Sequence, residues 1–545
     1  MKEIREKLIE ILKKALNQLP EEVCMGFSGE IKLLTPEKKE FGDFATSIAF
    51  KLAKKNYPAE EIARFLKQAI SAEKPAFLEK IEEKAGFLNF FLRKEVQVDL
   101  VGTVLSNPET FGSSRRGTGK KILIEFVSAN PTGPLTIAHG RQAAVGEALA
   151  RILSFAGYSV TKEYYHNDAG RQIRLLGESL KARYEQLQGK QTSLPEDGYQ
   201  GEYLMEIARL ITAVPEDQPD FFEKFAVQEI SRGIKEDLER FGVTFDSYVS
   251  EQSFHQSGLL QDTLQALKKA GYLYQAEGAI WFRSTAFGDD KDRVLIKSDG
   301  TPTYLAPDIA YHRNKIQRGY DLLIDILGPD HHGYVTRLKA ACAALGFSPE
   351  KIHIIIVQLT TLFRGKEKLR MSTRAGEFIT LRQLMEEIGP DAAKFFFLFR
   401  RAESHLDFDL EIAKKQSLEN PVYYLQYAYV RMLHILQFAI QKGFSPEQTQ
   451  TADFSLLREE EEFNLIKEMA RFSQIVEHIS QSLEVHLLAE YLLSLARLFH
   501  SYYQHHRVIT AQRDLSLSRL ALIKALFSVF SRALWLLNIS LPEKM

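Results

Sequence analysis

The chain has 545 residues, of which 45% are hydrophobic and 26% charged, and its formal net charge at pH 7 is −1. This composition is ordinary for a soluble globular protein, and the length predicts roughly three or four domains of ~100–200 residues each. A chain this close to neutrality has no overall attraction for nucleic acid. Any RNA binding must therefore depend on local basic patches and on shape.

Cysteine usage and the N-terminal segment narrow the class of protein further. Only Cys24 and Cys342 are present, so neither a disulfide framework nor a cysteine-based structural zinc site can be built. The first residues, MKEIREKLIEILKKAL, mix both charges along an amphipathic helix and lack a signal-peptide core. No run of ~18 apolar residues appears. We therefore expect a cytoplasmic protein that does not cross a membrane.

Residues 1–110 predict a small α+β domain. Apolar residues from Ile4 to Leu16 recur at helical spacing, and AGFLNFFL (Ala85 to Leu92) predicts a strand after a glycine. The polar, glycine-rich stretch from Ser106 to Lys120 then predicts a linker.

Residues 120–400 alternate apolar runs with helical segments, which is the rhythm of a Rossmann-like α/β domain with a parallel sheet. The predicted strands are Ile122 to Val127, Ser159 to Tyr165, Leu322 to Leu327 and Ile352 to Val357. Residues from about 190 to 254 are charged and predict a helical insertion. Residues 411–545 predict helices alone, in an all-α bundle.

The central stretch of the chain is Ile122 to Leu153. A buried strand leads into a Pro- and Gly-containing turn, Asn130 to Gly133, and then into a long helix. Small residues at such a crossover let a ligand approach the backbone, and the helix N-terminus offers free N–H groups to phosphate. His139, in the first turn of this helix, is the candidate phosphate-facing donor.

Five segments carry a family resemblance, in a consistent order along the chain. They are SANPTGPLTIAHGRQAA (128–144), YYHNDAGRQI (164–173), DGTPTYLAPDIAYH (299–312), GPDHHGYVTRLKAA (328–341) and RMSTRAG (370–376). The first resembles the "HIGH" ATP motif of class I aminoacyl-tRNA synthetases, and the last resembles their KMSKS loop. Together they identify the chain as similar to the arginyl-tRNA synthetases over essentially its whole length.

This resemblance implies an activity and its partners. The arginine carboxylate would attack the α-phosphorus of ATP, and the terminal ribose of tRNA-Arg would then take the arginyl group. Positioning and charge neutralisation, rather than a covalent nucleophile, carry such chemistry. The implied substrates are L-arginine, tRNA-Arg and ATP with Mg²⁺. The N-terminal domain would contact the tRNA elbow, the helical bundle would bind the anticodon, and the enzyme would be a monomer.

The resemblance also implies the site residues, and no resident metal ion among them. Candidates for catalysis are Thr136, His139, Lys368, Arg370 and Arg374. Candidates for arginine binding are Glu125, Asn130, Gln172, Tyr304, Asp308 and His331. Candidates for ATP binding are Ala129, Pro131, Gly133, His139, Gly140, Met371 and Ser372. Candidates for tRNA binding are Tyr423, Tyr427 and Arg431, although helix packing would also explain these tyrosines.

Two carboxylates suit the recognition of arginine, because they accept a guanidinium fork side by side. Glu125 ends the first strand, and Asp308 follows Tyr304 by four residues, on one face of a helix turn. An unpaired buried charge is costly, so an internal salt bridge is the alternative explanation for Glu125.

The ATP motif departs from the family at two positions. Thr136 stands where the family has a first histidine, and Ala138 replaces the usual glycine. A hydroxyl can still donate, but the difference between a charge-assisted and a neutral hydrogen bond is ~1 kcal/mol, or roughly tenfold in rate. These departures motivate an alternative reading, a catalytically impaired tRNA-binding paralogue.

Two further alternatives stay open at this stage. GPDHHG contains the Asp-His-His sequence of metal-dependent phosphoesterases, in which Asp330, His331 and His332 would bind manganese. That reading needs further acidic metal motifs, for which only Asp289, Asp290 and Asp292 are available. A different amino-acid substrate is the other alternative, and the carboxylate pair disfavours it.

Overall fold

Five parallel strands form the central sheet of the computed structural model, which describes residues 2–24, 29, 31–34, 36, 38–73, 75–168, 170–251, 253, 257–369 and 378–544. Among these, no helix is long and apolar enough to span a membrane.

The N-terminal part is a small α+β unit, as the sequence predicts. A three-stranded antiparallel sheet in the order β1-β3-β2 lies at its centre, and its core is apolar. Its elements are α1 (Lys2–Leu16), α2 (Glu21–Cys24), β1 (Phe44–Thr46), α3 (Ile48–Leu52), α4 (Ala59–Glu73), β2 (Leu78–Lys84) and β3 (Phe87–Leu92). Helix α5 (Lys94–Ser106) leads out of it.

The central part begins with a strand, a helix and a second strand, followed by a helical region. Its first elements are β4 (Lys121–Phe126), α6 (Ile137–Phe155), β5 (Ser159–His166), α7 (Arg171–Leu187), α8 (Tyr203–Arg209), α9 (Phe221–Arg240) and β6 (Ser247–Ser250). Next come α10 (Leu259–Lys269), β7 (Leu273–Ala276), β8 (Ala279–Phe282), β9 (Arg293–Ile296), α11 (Leu305–Gln317), β10 (Leu322–Leu327), α12 (Val335–Ala344) and β11 (Ile352–Ile356).

The last elements of the central part follow β11, and four long helices complete the chain. The former are β12 (Thr360–Arg364), β13 (Glu367–Lys368), α13 (Leu381–Ile388), α14 (Pro390–Leu398), β14 (Leu406–Asp409) and α15 (Leu410–Lys414). The latter are α16 (Pro421–Gln441), α17 (Glu460–Ser482), α18 (His486–His505) and α19 (Arg513–Leu536). Asn420 starts α16, because its side chain accepts a hydrogen bond from the Val422 N–H at 3.0 Å.

The parallel sheet has the strand order β11-β10-β4-β5-β6. The chain leaves β4 toward β5 and β6 on one side and returns to β10 and β11 on the other. The carboxyl ends of β4 and β10 therefore flank a topological switch point, which is where open α/β sheets bind ligands. All four predicted strands are confirmed to within a residue or two at their ends.

Strand β6 was not predicted, and the expectation of a purely helical segment from about 190 to 254 is wrong there. The four residues SYVS pair with β5 at the edge of the sheet, and Tyr248 is exposed. A short edge strand has no apolar run, so nothing in its own sequence marks it. The antiparallel sheet β7-β8-β9 is a second element that the sequence analysis did not identify.

Helix α6 packs closely on its neighbours because it has glycine at two contact points. A Cβ on Gly146 would lie 2.3 Å from the Phe126 ring, and one on Gly140 would lie 2.7 Å from Leu381. The same helix carries the fully buried Arg141, whose guanidinium donates to the Gln358 and Arg401 carbonyls at 2.9 and 2.8 Å. These contacts fix the start of α6 beside the switch point.

Candidate active site

The turn after β4 holds two residues in left-handed backbone conformations. Val127 has φ 68° and Ser128 has φ 38°, and neither is glycine. A β-branched residue at positive φ is rare, and such strain concentrates at functional sites. The turn brings the Ser128 hydroxyl back to Glu125, to which it donates at 2.8 Å, while the same oxygen accepts from the Tyr165 N–H at 3.1 Å.

The crevice at the switch point lies at the carboxyl ends of β4 and β10. The segment from Ala129 to His139, here called the phosphate end of this crevice, is held in place through its carbonyls. Tyr164 donates its hydroxyl to the Ala129 carbonyl at 2.9 Å, and Tyr203 donates to the Thr132 carbonyl at 2.6 Å. A loop anchored in this way is preorganised, so it need not be ordered when a ligand binds.

Thr136 and His139 form a capping box at the start of α6. The Thr136 backbone N–H donates to His139 Nδ1 at 3.1 Å, and the Thr136 hydroxyl lies 3.1 Å from the same nitrogen. Burial lowers the pKa of His139 to about 4, although Asp330 opposes the shift. Because Nδ1 accepts an N–H, the ring is neutral and its proton resides on Nε2.

Four residues predicted to contact ATP lie in or next to this end, but their surroundings differ. Ala129 and Pro131 are buried, and Gly133 has room for a side chain, since the nearest atoms to an added Cβ belong to Tyr203 at 3.5 Å. Gly140 is buried against Leu381 and Phe397, so helix packing explains this glycine. Its role in binding ATP therefore gains no support from the geometry.

Asp308 and its neighbours form the carboxylate end of the crevice. The half-buried Asp308 side chain accepts a hydrogen bond from the Tyr334 hydroxyl. Burial raises the pKa of Asp308 to about 6, although the bond from Tyr334 acts in the opposite direction. Tyr304, one helical turn earlier, is 79% exposed, which leaves its ring available to a ligand.

Glu125 has an internal partner, as in the alternative considered for it. Its Oε2 pairs with the ammonium of Lys315 on α11, and Lys315 also bonds to Asp325 at 2.7 Å. Asp325 lies opposite Glu125 in the pairing of β10 with β4, so the register itself brings the two carboxylates together. In this structure both Glu125 oxygens are therefore occupied, one by Lys315 and the other by Ser128.

The lysine cluster, which we define as Glu125, Lys315, Asp325 and His312, is buried. His312 Nε2 lies 2.7 Å from Asp325. Burial acts to raise the pKa of Asp325, but Lys315 and His312 outweigh it and lower that pKa. Burial likewise acts to lower the pKa of Lys315, but Asp325 and Glu125 raise it.

A second ionic pair lies on the neighbouring strand. Arg318 binds Glu163 through both terminal nitrogens, one of them at 2.7 Å, and Tyr311 donates to Glu163 at 2.7 Å. Burial works against the ionised form, yet the bonds from Arg318 and Tyr311 leave the pKa of Glu163 lowered. Lys315 on α11 and Arg318, the residue that follows this helix, therefore supply cations to carboxylates on three adjacent strands.

The structure brings together one more pair of predicted arginine-binding residues. Asn130 donates its side-chain amide to Gln172 at 3.1 Å, and both are exposed, Asn130 in the turn after β4 and Gln172 in the first turn of α7. His331 is also exposed and lies 3.5 Å from Asp330. Asp168 accepts from Ser250 at 2.7 Å, which joins the carboxyl ends of β5 and β6.

The basic loop can be only partly placed. Lys368 is exposed on β13, where it pairs with Phe363. The remaining predicted loop residues, Arg370, Met371, Ser372 and Arg374, lie outside the described residues.

The predicted tRNA contacts share one face of the helical bundle. Arg431 places its guanidinium over the rings of Tyr427 and Tyr503, at 4.4 and 4.6 Å from their centroids. The Tyr423 ring lies nearly parallel to that of Tyr427, with centroids 6.3 Å apart, and the His500 ring stacks on that of Tyr427 at 5.7 Å. Packing thus accounts for part of this aromatic set, as the alternative reading anticipates.

Sequence reasoning missed the partners of the carboxylates. Lys315, Asp325, His312 and Tyr334 were not predicted as site residues. One signal was available, since a carboxylate within the apolar run LLIDIL (322–327) is unusual in a buried strand. A second was the polar stripe Asp308, His312, Lys315, whose spacing places all three on one face of α11.

Comparison with known families decides between the remaining readings. Residues 100–396 match the family described as tRNA synthetases class I (R), catalytic domain. Residues 2–92 match the arginyl tRNA synthetase N terminal domain, and residues 425–545 match the DALR anticodon binding domain. The chain belongs to the arginyl-tRNA synthetase family. The family resemblance and the fold class predicted from the sequence are thereby confirmed.

Individual relatives agree with this membership in the arginyl-tRNA synthetase family. An arginine–tRNA ligase of Syntrophotalea carbinolica is 43% identical over 99% of both chains, and one of Carboxydothermus hydrogenoformans is 43% identical over 94% of both. The solved arginyl-tRNA synthetase of Thermus thermophilus superposes with a TM-score of 0.79 over 99% of this chain and 100% of that one, at 22% identity. That last similarity shows the shared fold.

The phosphoesterase reading finds no support in this family or in the geometry. Asp289, Asp290 and Asp292 lie in the loop between β8 and β9. They accept hydrogen bonds from Thr285 in the same loop, from Arg293 on β9 and from Tyr274 on β7. Within the described ranges, no group of three His, Cys, Asp or Glu side chains could hold a metal ion. Nothing in the comparisons favours an impaired paralogue.

Proposed function

We propose that this chain attaches L-arginine to tRNA-Arg through an arginyl-adenylate, with ATP and Mg²⁺ as the substrate complex and pyrophosphate and AMP as products. The observation that carries the proposal is the switch-point crevice, which has carboxylates at one end and an anchored helix N-terminus at the other. Membership in the arginyl-tRNA synthetase family supplies the reaction class.

The residue roles follow from the two ends of the crevice. Asp308 would accept the substrate guanidinium, with the exposed Tyr304 ring covering it. Glu125 would share the guanidinium if it exchanges its bond to Lys315 for one to the substrate. Asn130 and Gln172 would hold the α-amino and carboxylate groups near the α-phosphorus. Such a pocket rejects citrulline, which carries no charge.

At the phosphate end, His139 would donate its Nε2–H to ATP. Ala129 and Pro131 would line the nucleotide, while Lys368 and the basic loop would neutralise pyrophosphate as it leaves. The N-terminal domain and the bundle face with Tyr423, Tyr427 and Arg431 would bind tRNA, with base stacking worth ~1–3 kcal/mol per base. A monomeric state and a cytoplasmic location remain predictions.

The deciding experiment is ATP–pyrophosphate exchange with arginine, run with and without tRNA-Arg and with lysine as the control amino acid. Exchange with arginine and none with lysine is the expected result. The tRNA arm shows whether activation depends on bound tRNA. No exchange under any condition, with tRNA still bound tightly, would overturn the proposal in favour of the paralogue.

A further inference from the structure

The role of Thr136 follows from the chemistry of one ring nitrogen. His139 Nδ1 accepts the Thr136 backbone N–H at 3.1 Å, so it carries no proton of its own. The Thr136 hydroxyl oxygen lies 3.1 Å from the same nitrogen. Two acceptors cannot share a hydrogen bond without a proton, so the hydroxyl must donate to Nδ1. Its proton is thereby committed to the ring rather than to a phosphate.

The other ring nitrogen has the complementary character. With Nδ1 unprotonated, the neutral imidazole carries its hydrogen on Nε2. Within the part of the chain that the structure describes, Nε2 has no hydrogen-bond partner, although Asp330 lies close enough to influence the ring electrostatically. Nε2–H is therefore the donor that the ring offers to a ligand.

We propose that Thr136 is a positioning residue for His139: its backbone N–H and hydroxyl hold the ring in the Nε2–H tautomer and keep that N–H available to ATP. This inference rests on the proposed function. It replaces the prediction that the Thr136 hydroxyl itself contacts phosphate in place of the family histidine. Thr136 then acts through His139, and the neutral ring donates without first having to lose or gain a proton.

The test begins with the ring itself. In the full chain labelled with ¹⁵N-histidine, two-bond ¹H–¹⁵N correlation spectra should show His139 with an unprotonated Nδ1 and a protonated Nε2, assigned by the peaks missing from His139→Ala. In Thr136→Val the Nδ1 resonance should shift in the direction expected for an unprotonated ring nitrogen that has lost one hydrogen-bond donor. A protonated Nδ1 in the wild-type chain would overturn the proposal. This measurement needs no substrate and is independent of whether the enzyme activates arginine.

A kinetic cycle separates positioning from direct contact. Thr136→Val should lower kcat for ATP–pyrophosphate exchange by roughly fivefold to tenfold, since one neutral hydrogen bond is lost, and should leave the KM for arginine unchanged. Thr136→Ser, which keeps the hydroxyl, should recover this factor. In a His139→Ala background the same Thr136→Val change should cost nothing further. An equal loss in both backgrounds would mean that the hydroxyl contacts substrate directly, and the proposal would fail.

A matched control addresses helix capping alone. Glu459 caps α17 through the same capping-box arrangement, with Glu462 in place of the histidine, and it lies on a different helix from the site. Glu459→Ala should lower the melting temperature to a similar extent as Thr136→Val without the kcat loss. If Glu459→Ala reduced kcat equally, the effect at Thr136 would be one of helix stability, and the positioning role would be refuted.

Discussion

At the carboxylate end of the crevice, Glu125 and Asp325 share the buried Lys315, and Asp308 lies close enough to Glu125 for the two charges to interact. The segment at the phosphate end presents instead a neutral histidine, a hydroxyl and backbone groups. The guanidinium of arginine is always charged, so fixed carboxylates can recognise it. Negative charge moves between the phosphate oxygens during the reaction, and preorganised neutral donors stabilise it where it develops in the transition state. The carboxylate end thus suits a permanent charge, and the phosphate end suits a charge that develops during the reaction.

The largest expected effect comes from removing the cation of the lysine cluster. Lys315→Met leaves Glu125 and Asp325 buried without their shared partner, which should lower the free energy of unfolding by about 3–5 kcal/mol. Urea unfolding of the full chain measures it. Lys415→Met, which breaks the exposed pair with Glu419, is the control and should leave the midpoint unchanged. Equal midpoints for the two variants would show that the cluster is not held by Lys315.

The next effect separates the two ends by substrate. Asp308→Asn removes the negative charge that we propose for the guanidinium, so the KM for arginine should rise on the order of 100-fold, the upper range for a hydrogen bond to a charged group. The KM for ATP should stay within about twofold, since no charge at the phosphate end changes. Asp262→Asn, on the exposed side of α10, serves as the control. A comparable rise in both KM values would contradict the proposal that Asp308 binds arginine and has no part in binding ATP.

The smallest expected effect is a pH dependence of arginine affinity, which arises at the carboxylate end of the crevice. The pKa of Asp308 is raised to about 6 by burial, against the bond from Tyr334, so ionised Asp308 is lost as pH falls through 6. Arginine affinity should therefore drop about tenfold between pH 7 and pH 5, one unit below that pKa. The pKa of His139 is lowered to about 4, so its ring stays neutral over this range. ATP affinity should therefore change with pH only through protonation of the ATP γ-phosphate, and equally in wild type and His139→Ala. Calorimetric titration of each ligand at both pH values provides the comparison.

The same Asp308 pKa has a consequence for stability with a definite sign. Its folded value lies above the ordinary 3.8, so the folded state binds this proton more tightly than the unfolded chain. The stabilising contribution is complete below pH 4 and is lost as pH rises toward 6. Asp308→Asn should flatten this part of the unfolding profile. A profile with the same slope in both chains would assign the dependence to other carboxyl groups.

Local sequence predicted the elements that build the crevice. The apolar runs that begin at Ile122, Leu322 and Ile352 form the strands β4, β10 and β11, because a buried parallel strand has a nearly continuous apolar sequence. Thr136 and His139 were also identified, and their position at a helix start is as expected. What these residues do to each other was not predictable, because it depends on which ring nitrogen faces the backbone.

Pairings between distant segments were beyond the local pattern. Glu125 meets Lys315 only because β10 pairs with β4 in the register that sets Asp325 opposite Glu125, with α11 covering both. Glu125 and Lys315 are separated by 190 positions in the chain. A charged side chain in a strand signals that a partner exists, but the partner's identity requires the topology.

The buried Arg141 bears on how this enzyme would respond to systematic mutation. Its guanidinium bonds to the carbonyls of Gln358 and Arg401, groups that every amino acid possesses. In a saturation scan, replacements at positions 358 and 401 should therefore leave this contact intact, whereas almost any replacement of Arg141 should strongly destabilise the protein. For the same reason, methods that infer contacts from paired changes between positions would be blind to this link, although it joins the start of α6 to two segments more than 200 residues away.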